Sequence, residues 1–488
     1  MRIPPNCLMP VAVLLMAACA PVTTPTIRAQ DIPPTGPQAG TAASEPTLPA
    51  SATSTPEPTA IPAPTSLNLD GPHVLFEGED GIWIANPDGS FLTRLYDSGV
   101  GAADLHRAIS PQGDTLAFIS ESQHGPLLVL LSLPDGSAQI AATLQTVLLD
   151  DIVSDPLSAQ AFAYYAITKY DNVAWQPGAA RYVAFVGAID GPTSDLYVYD
   201  RQTEEITQLT DGGSQALYPT WSPDGAYVLH FGGRWTPPFG GAIVGYNQAD
   251  GAWAVRLADG KVITQPAGVK WPWNLVGWLD AGHYLASEDD EECGTRNLLT
   301  VAAEEGEAAT TFAGCFASYA ALSPANDAVL ISSTDCEACP LGEGTFLLMT
   351  GDRAPQEVLA QQSWGIDWFS ESGAFHAYPN GLVSSEGNML SIPPVVDASF
   401  HPALSTQGFE AWEVIENQQG RVVVRSPGGE YGTILEAAVA AMIWDPLEGT
   451  TLLIASQDGV LYAASAPDFE PRPVGDLGSR VNQAIWVP

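Results

Sequence analysis

The sequence predicts an all-β chain in which one four-stranded unit recurs around a ring, and three observations predict it. A bulky residue followed two positions later by Pro recurs along most of the 488 residues. Behind each such anchor the apolar residues alternate at the period of a strand, not of a helix. Gly (46) and Pro (41) are frequent enough to punctuate many tight turns.

The clearest unit is LYPTWSPDGAYVLHF, Leu217–Phe231. Its anchor, Trp221, has counterparts at Ile109, Trp175, Trp278, Leu322, Trp368, Phe400, Trp444 and Trp486. Pro follows two residues on, except where Asp280 and Ser370 take its place. The spacing averages about 47 residues, the period of a repeat architecture. After the anchor strand comes a second strand, as in Tyr227–Phe231 or Thr451–Ser456. A third follows, as in Asp195–Asp200 or Asn297–Ala302, and then a fourth, as in Ile206–Asp211. Four short strands per unit make the blade of a β-propeller. Nine anchors predict nine blades, with eight as the alternative because Trp368 and Phe400 stand close together.

The Ser-Pro-Asp-Gly turn has a physical basis. Pro presets φ, Asp bonds back to nearby backbone, and Gly accepts positive φ. The bulky anchor before it is expected to pack between neighbouring blades as core. The ends of the repeat predict closure. His73–Gly78 opens the first unit without an anchor strand, and Asn482–Pro488 is an anchor strand with nothing after it. The C-terminal strand is therefore expected to complete the first blade and remove a free sheet edge.

Ahead of the repeat lie two other segments. Arg2 precedes an apolar run, Leu8–Ala18, too short to span a membrane as a mature helix. It ends Leu15-Met16-Ala17-Ala18-Cys19, which resembles the bacterial lipobox. That resemblance implies removal of residues 1–18 and acylation of Cys19. Residues 19–70 are rich in Pro, Thr, Ser and Ala and too poor in large apolar groups to form a core. At about 3.1 Å per residue such a stalk reaches roughly 150 Å. The propeller is expected over 71–488.

The repeats NPDGSFLTRL (Asn86–Leu95) and TQLTDGGSQALYPTWSPDGAYVLHF (Thr207–Phe231) resemble those of the TolB-like family, and ISPQGDTLAFIS (Ile109–Ser120) does so more loosely. The resemblance implies an extracytoplasmic propeller that binds proteins or saccharides, often without catalysis. The family's α/β domain ahead of the propeller is replaced here by the stalk.

Composition narrows the function further. The formal charge is −39, from 56 acids and 17 bases. Nucleic-acid binding needs a basic footprint, so no nucleic-acid partner is expected. There is no Gly-x-Ser-x-Gly elbow, His-Glu-x-x-His, phosphate loop or dinucleotide fingerprint. The seven His are scattered without ligand spacing. No catalytic residue, cofactor or metal is expected; carboxylates converging on the axis, as in a hydrolase or lyase, are the minor alternative.

Four cysteines, Cys293, Cys315, Cys336 and Cys339, fall in connections of two adjacent units that emerge on one face of a propeller. In an exported chain they read as two disulfides; a four-thiolate zinc site is the rival. The same face collects the long connection Leu144–Asp171, the acidic run Glu288–Glu292, and aromatic loops carrying Arg234, Trp235, Phe239, Trp271 and Trp273. Aromatic insertions on a rigid scaffold serve as binding sites, or else plug the channel mouth. The expected protein is a monomeric, lipid-anchored extracytoplasmic propeller, at the cell surface or in the periplasm. It is expected to bind envelope proteins or, through its aromatic loops, saccharides or small ligands.

Overall fold

Alternating apolar residues bounded by turn residues build a ring of nine antiparallel sheets. The computed structural model describes residues 66–487, apart from 69–70, 79–80, 98–104, 157, 169–170, 237–244, 291–293, 317–318, 335–338, 350–353, 364, 370–373, 379–380, 385–387, 392–398 and 417–418. The leader, Cys19 and most of the stalk lie outside these residues. Just ahead of the expected boundary, the Asn68 backbone N–H donates to Asn86 Oδ1 at 2.8 Å.

Eight sheets have four strands and one has three, each in simple up-and-down order. The architecture is the propeller that the repeats predict, with nine blades. Blade one closes as expected: Val481–Val487 is its innermost strand and pairs antiparallel with His73–Gly78, from His73↔Val487 to Gly78↔Val481. Blade two departs from the four-strand pattern. It has Thr115–Ser122, Gly125–Ser132 and Ala138–Thr143, and only a single bridge, Ile109↔Leu116, where its innermost strand should be. A one-turn helix, α1 (Leu105–Ala108), takes that place, touching the innermost strands of blades one and three.

Trp175, Trp221, Trp278 and Trp444 are buried as core, and three of these indole nitrogens add a second function. Trp175 Nε1 donates to the Ala108 carbonyl at 2.6 Å, Trp221 Nε1 to Ala174 at 2.9 Å, and Trp444 Nε1 to Ala403 at 3.0 Å. Each bond crosses to the blade before, so these anchors staple neighbours together as well as filling the space between them. The residue after the anchor matters too. Ser110, Ser222 and Ser323 are buried. Their hydroxyls accept from the amides of Thr115, Tyr227 and Ala328, five residues on, at 3.1, 3.0 and 3.1 Å. Gly225 takes φ +69° in this turn, a conformation that favours glycine.

The long connection Leu144–Asp171 is not an irregular loop but holds two helices, α2 (Leu149–Ser154) and α3 (Ala159–Thr168). Residues 158–168 contain no Gly or Pro, and Ser158 Oγ caps α3 by accepting from Ala161 N–H at 3.1 Å. Ala163 and Ile167 join the core between blades two, three and four. Asn172 Nδ2 donates to the last-turn carbonyl of Ile167 at 3.0 Å, and its Oδ1 accepts from Tyr218 N–H at 2.9 Å. One buried amide thus ties α3 to the bulge in blade four's innermost strand.

Candidate binding face

In every four-stranded blade the second-to-third connection and the exit to the next blade leave the same end of the ring. This end, the upper face, carries the connections that the sequence singles out. Blade four dominates it. Its second and third strands, Tyr227–Thr236 and Gly245–Arg256, pair from Tyr227↔Arg256 to Thr236↔Gly245 and shift register at Gly232/Gly233 and Arg234/Trp235. Arg234 and Trp235 are therefore strand residues of a long bulged hairpin, not loop residues as the sequence reading had them. Period-2 alternation breaks at a bulge, and that break disguised the strand. Only the backbone is described at these two positions, and Phe239 lies outside the described residues.

Trp271 and Trp273 are brought together. Their rings stack with centroids 4.6 Å apart and planes 11° apart. Pro272–Asn274 forms a single 3₁₀ turn between the sheets of blades four and five. Buried Asn274 holds it, its Oδ1 accepting from the Lys270 and Trp271 amides at 3.0 and 2.8 Å. Trp273 is 67% exposed, an unusual state for the largest apolar side chain. The stacked pair stands as a flat apolar step in the connection between blades four and five.

Between blades three and four, a cavity of about 310 Å³ opens under the connection 209–216. Its lining includes Asp195, Ser214, His230, Gly232, Trp253 and Val262. His230 and Trp253 pair across the hairpin and stack at 5.7 Å and 23°. Burial pulls the His230 imidazole down to about 4, so it is neutral at pH 7, and its Nε2 is buried without a partner. Asp195 shapes the rim: it accepts from Thr210 Oγ1 and the Gly212 N–H, both at 3.1 Å. Burial raises its pKa, with the hydrogen bonds opposing. At Gly232 a Cβ would stand 2.5 Å from the Trp253 ring, so the ring's seat requires glycine. The sequence reading missed His230, Trp253 and Asp195. Asp195 and the hairpin are far apart in sequence, and only the blade packing makes them neighbours.

The acidic run is partly structural. Glu288 lies in the strand His283–Asp290, and Glu288 Oε2 accepts from Asn297 Nδ2 at 2.6 Å. Glu291 and Glu292 lie outside the described residues. Of the four cysteines, Cys339 is disulfide-bonded. Cys293 and Cys336 lie outside the described residues, and Cys315 is described by its backbone alone, opposite Arg296.

No protein-family model matches the sequence, and no curated protein matches it. Among solved structures the chain is similar to a eukaryotic initiation factor, with 12% identity and a TM-score of 0.50 over 85% of this chain and 98% of that one. It is similar to TolB from Acinetobacter baumannii, with 11% identity and a TM-score of 0.31 over 86% of this chain and 66% of that one. Oligogalacturonate lyase from Vibrio parahaemolyticus is a third, with 12% identity and a TM-score of 0.35 over 62% of this chain and 78% of that one. At such identities the likeness is one of fold alone.

Proposed function

We propose that the chain is an extracytoplasmic binding module, held at a membrane by lipid on Cys19 and raised by the 19–70 stalk. Its working surface is the upper face of blades four and five, and its partner is an envelope protein. The observation that carries this reading is the Trp271–Trp273 stack. A two-thirds exposed Trp costs apolar hydration in the free protein, and aromatic anchors of this kind dominate protein interfaces. The same flat apolar step also favours a saccharide as partner.

The test is affinity capture from detergent-solubilised envelopes with the parent and a Trp271→Ala/Trp273→Ala double variant. Hot-spot aromatics each contribute about 2 kcal/mol or more, so recovery of the specific partner is expected to fall at least about tenfold. The fold should survive, because Trp273 is exposed and Trp271 only partly buried. Capture of the same partners by both forms would remove this face from the function. Elution of the parent by free sugars, and not by salt, would select the saccharide reading.

Anchoring has its own readout. The parent is expected to partition into the detergent phase and Cys19→Ala into the aqueous phase, or to remain unprocessed, because two or more acyl chains give stable attachment. Equal partitioning of processed forms would rule out lipid on Cys19. Among the described residues no helix is long and apolar enough to cross a membrane.

A further inference from the structure

The cavity between blades three and four, under the connection 209–216, is set apart by the charges that line it. Two further cavities open among the described residues. One is lined by Arg201 and the other by Arg107, and neither by a carboxylate. Here the sign is reversed. Asp195 and Asp211 line the cavity, and among the described residues no Lys or Arg does. The other titratable group in the lining, His230, is buried and neutral at pH 7, so it supplies no counter-charge.

The two carboxylates are placed differently. Asp195 is 4% exposed and is fixed by three neutral donors: Thr210 Oγ1, the Gly212 N–H and, at 3.4 Å, Thr193 Oγ1. Asp211 stands exposed in the connection that roofs the cavity. The two interact. Burial chiefly, and the Asp211 charge besides, raise the Asp195 pKa against those hydrogen bonds. A cation between them would favour both ionised forms. The rest of the wall is apolar: Leu209, Ala216, Val262 and the half-buried Trp253 ring.

We propose that this cavity binds a small organic cation, an ammonium carried on an apolar ring or chain, with Asp195 and Asp211 as counter-charges and Trp253 as the aromatic wall. An ammonium has three donors and no acceptor, so it suits a lining whose charged groups only accept. An indole attracts a cation lying over its face. Leu209, Ala216 and Val262 receive the apolar body. The volume of about 310 Å³ lies at the small end of the ~300–1,000 Å³ of small-molecule sites and is far too small for a folded partner.

The test titrates the full chain calorimetrically with 2-naphthylmethylammonium and with its neutral isostere, 2-naphthalenemethanol. Salt at about 0.15 M screens diffuse attraction to the acidic surface. The cation is expected to saturate one site and the alcohol to bind at least about tenfold more weakly, since the charge-assisted bond is lost. Asp211→Asn, at an exposed position, should weaken the cation several-fold and leave the alcohol unchanged. Asp195→Asn keeps an oxygen that accepts from Thr210 and Gly212, and should weaken the cation at least as much; Asp211→Asn decides the matter if Asp195→Asn does not fold. Asp151→Asn, on α2 and outside the lining, should bind both as the parent does. The proposal is overturned by any of four results. These are no saturable cation binding up to about 10 mM, equal affinities for cation and alcohol, parental cation affinity in Asp211→Asn, or an equal loss in Asp151→Asn, which would mark diffuse attraction alone.

Discussion

Removal of Val481–Pro488 is expected to abolish the native ring. Val481, Ile485 and Val487 are each buried to within 2% of completely. At about 1.5–3 kcal/mol per buried aliphatic side chain, these three alone account for roughly 5–9 kcal/mol. Net stabilities of folded domains are only about 5–15 kcal/mol. The loss also strips Trp486 from its place opposite Val74 and leaves the amides and carbonyls of His73–Gly78 unpaired on one side. Size-exclusion chromatography of the truncated chain should show aggregates, and its far-ultraviolet melt should lose cooperativity. A truncated chain that elutes as a monomer and melts with the parent would show that closure through this strand contributes little.

The second large effect is expected at Trp221. It is 5% exposed, fills the gap between blades three and four, and donates its indole N–H to the Ala174 carbonyl at 2.9 Å. Trp221→Ala should lower stability by about 3–5 kcal/mol through the cavity it leaves. Trp221→Phe keeps an aromatic ring and loses the donor, so its cost should be nearer ~1–3 kcal/mol. Urea midpoints of the parent and both variants separate the two contributions. Equal losses in both variants would mean that the staple, not the filling, dominates. A loss below about 1 kcal/mol in Trp221→Ala would contradict the role assigned to all the anchors.

Much of this architecture is legible in the sequence because a propeller is local. Each blade is written by consecutive residues, so the anchors and the strands behind Trp175, Trp221, Trp278 and Trp444 are readable one unit at a time. Even the closure is readable, since it needs only a missing strand at one end and a spare one at the other. The recurring Ser after the anchor (Ser110, Ser222, Ser323) was within reach, yet it is one residue wide and easily passed over beside Trp and Pro. Blade two's innermost strand was misread because Ile109-Ser110-Pro111 carries the anchor pattern, whereas the residues before it, Leu105–Ala108, coil into α1. Helix α3 was hidden by its composition: apolar on most sides, it gives a weak amphipathic signal even though its Ala residues support a helix there.

The sites are less legible than the scaffold. Trp271 and Trp273 were visible because two Trp flank one Pro. The upper cavity joins Asp195 to His230 and Trp253. No local pattern marks such sets, because ring packing alone brings them together.

The pairing of His73 with Val487 also sets a clock on synthesis. The strand that emerges first among the blades needs the strand that emerges last, more than four hundred residues later. At about 5–20 residues per second, the first blade waits roughly 20–80 s for its fourth member. Blades three to nine draw their strands from consecutive segments and can assemble as they appear. The ring therefore grows as an open arc in chain order, and its final joining is a single late event of high sequence separation, the kind that topology makes slow.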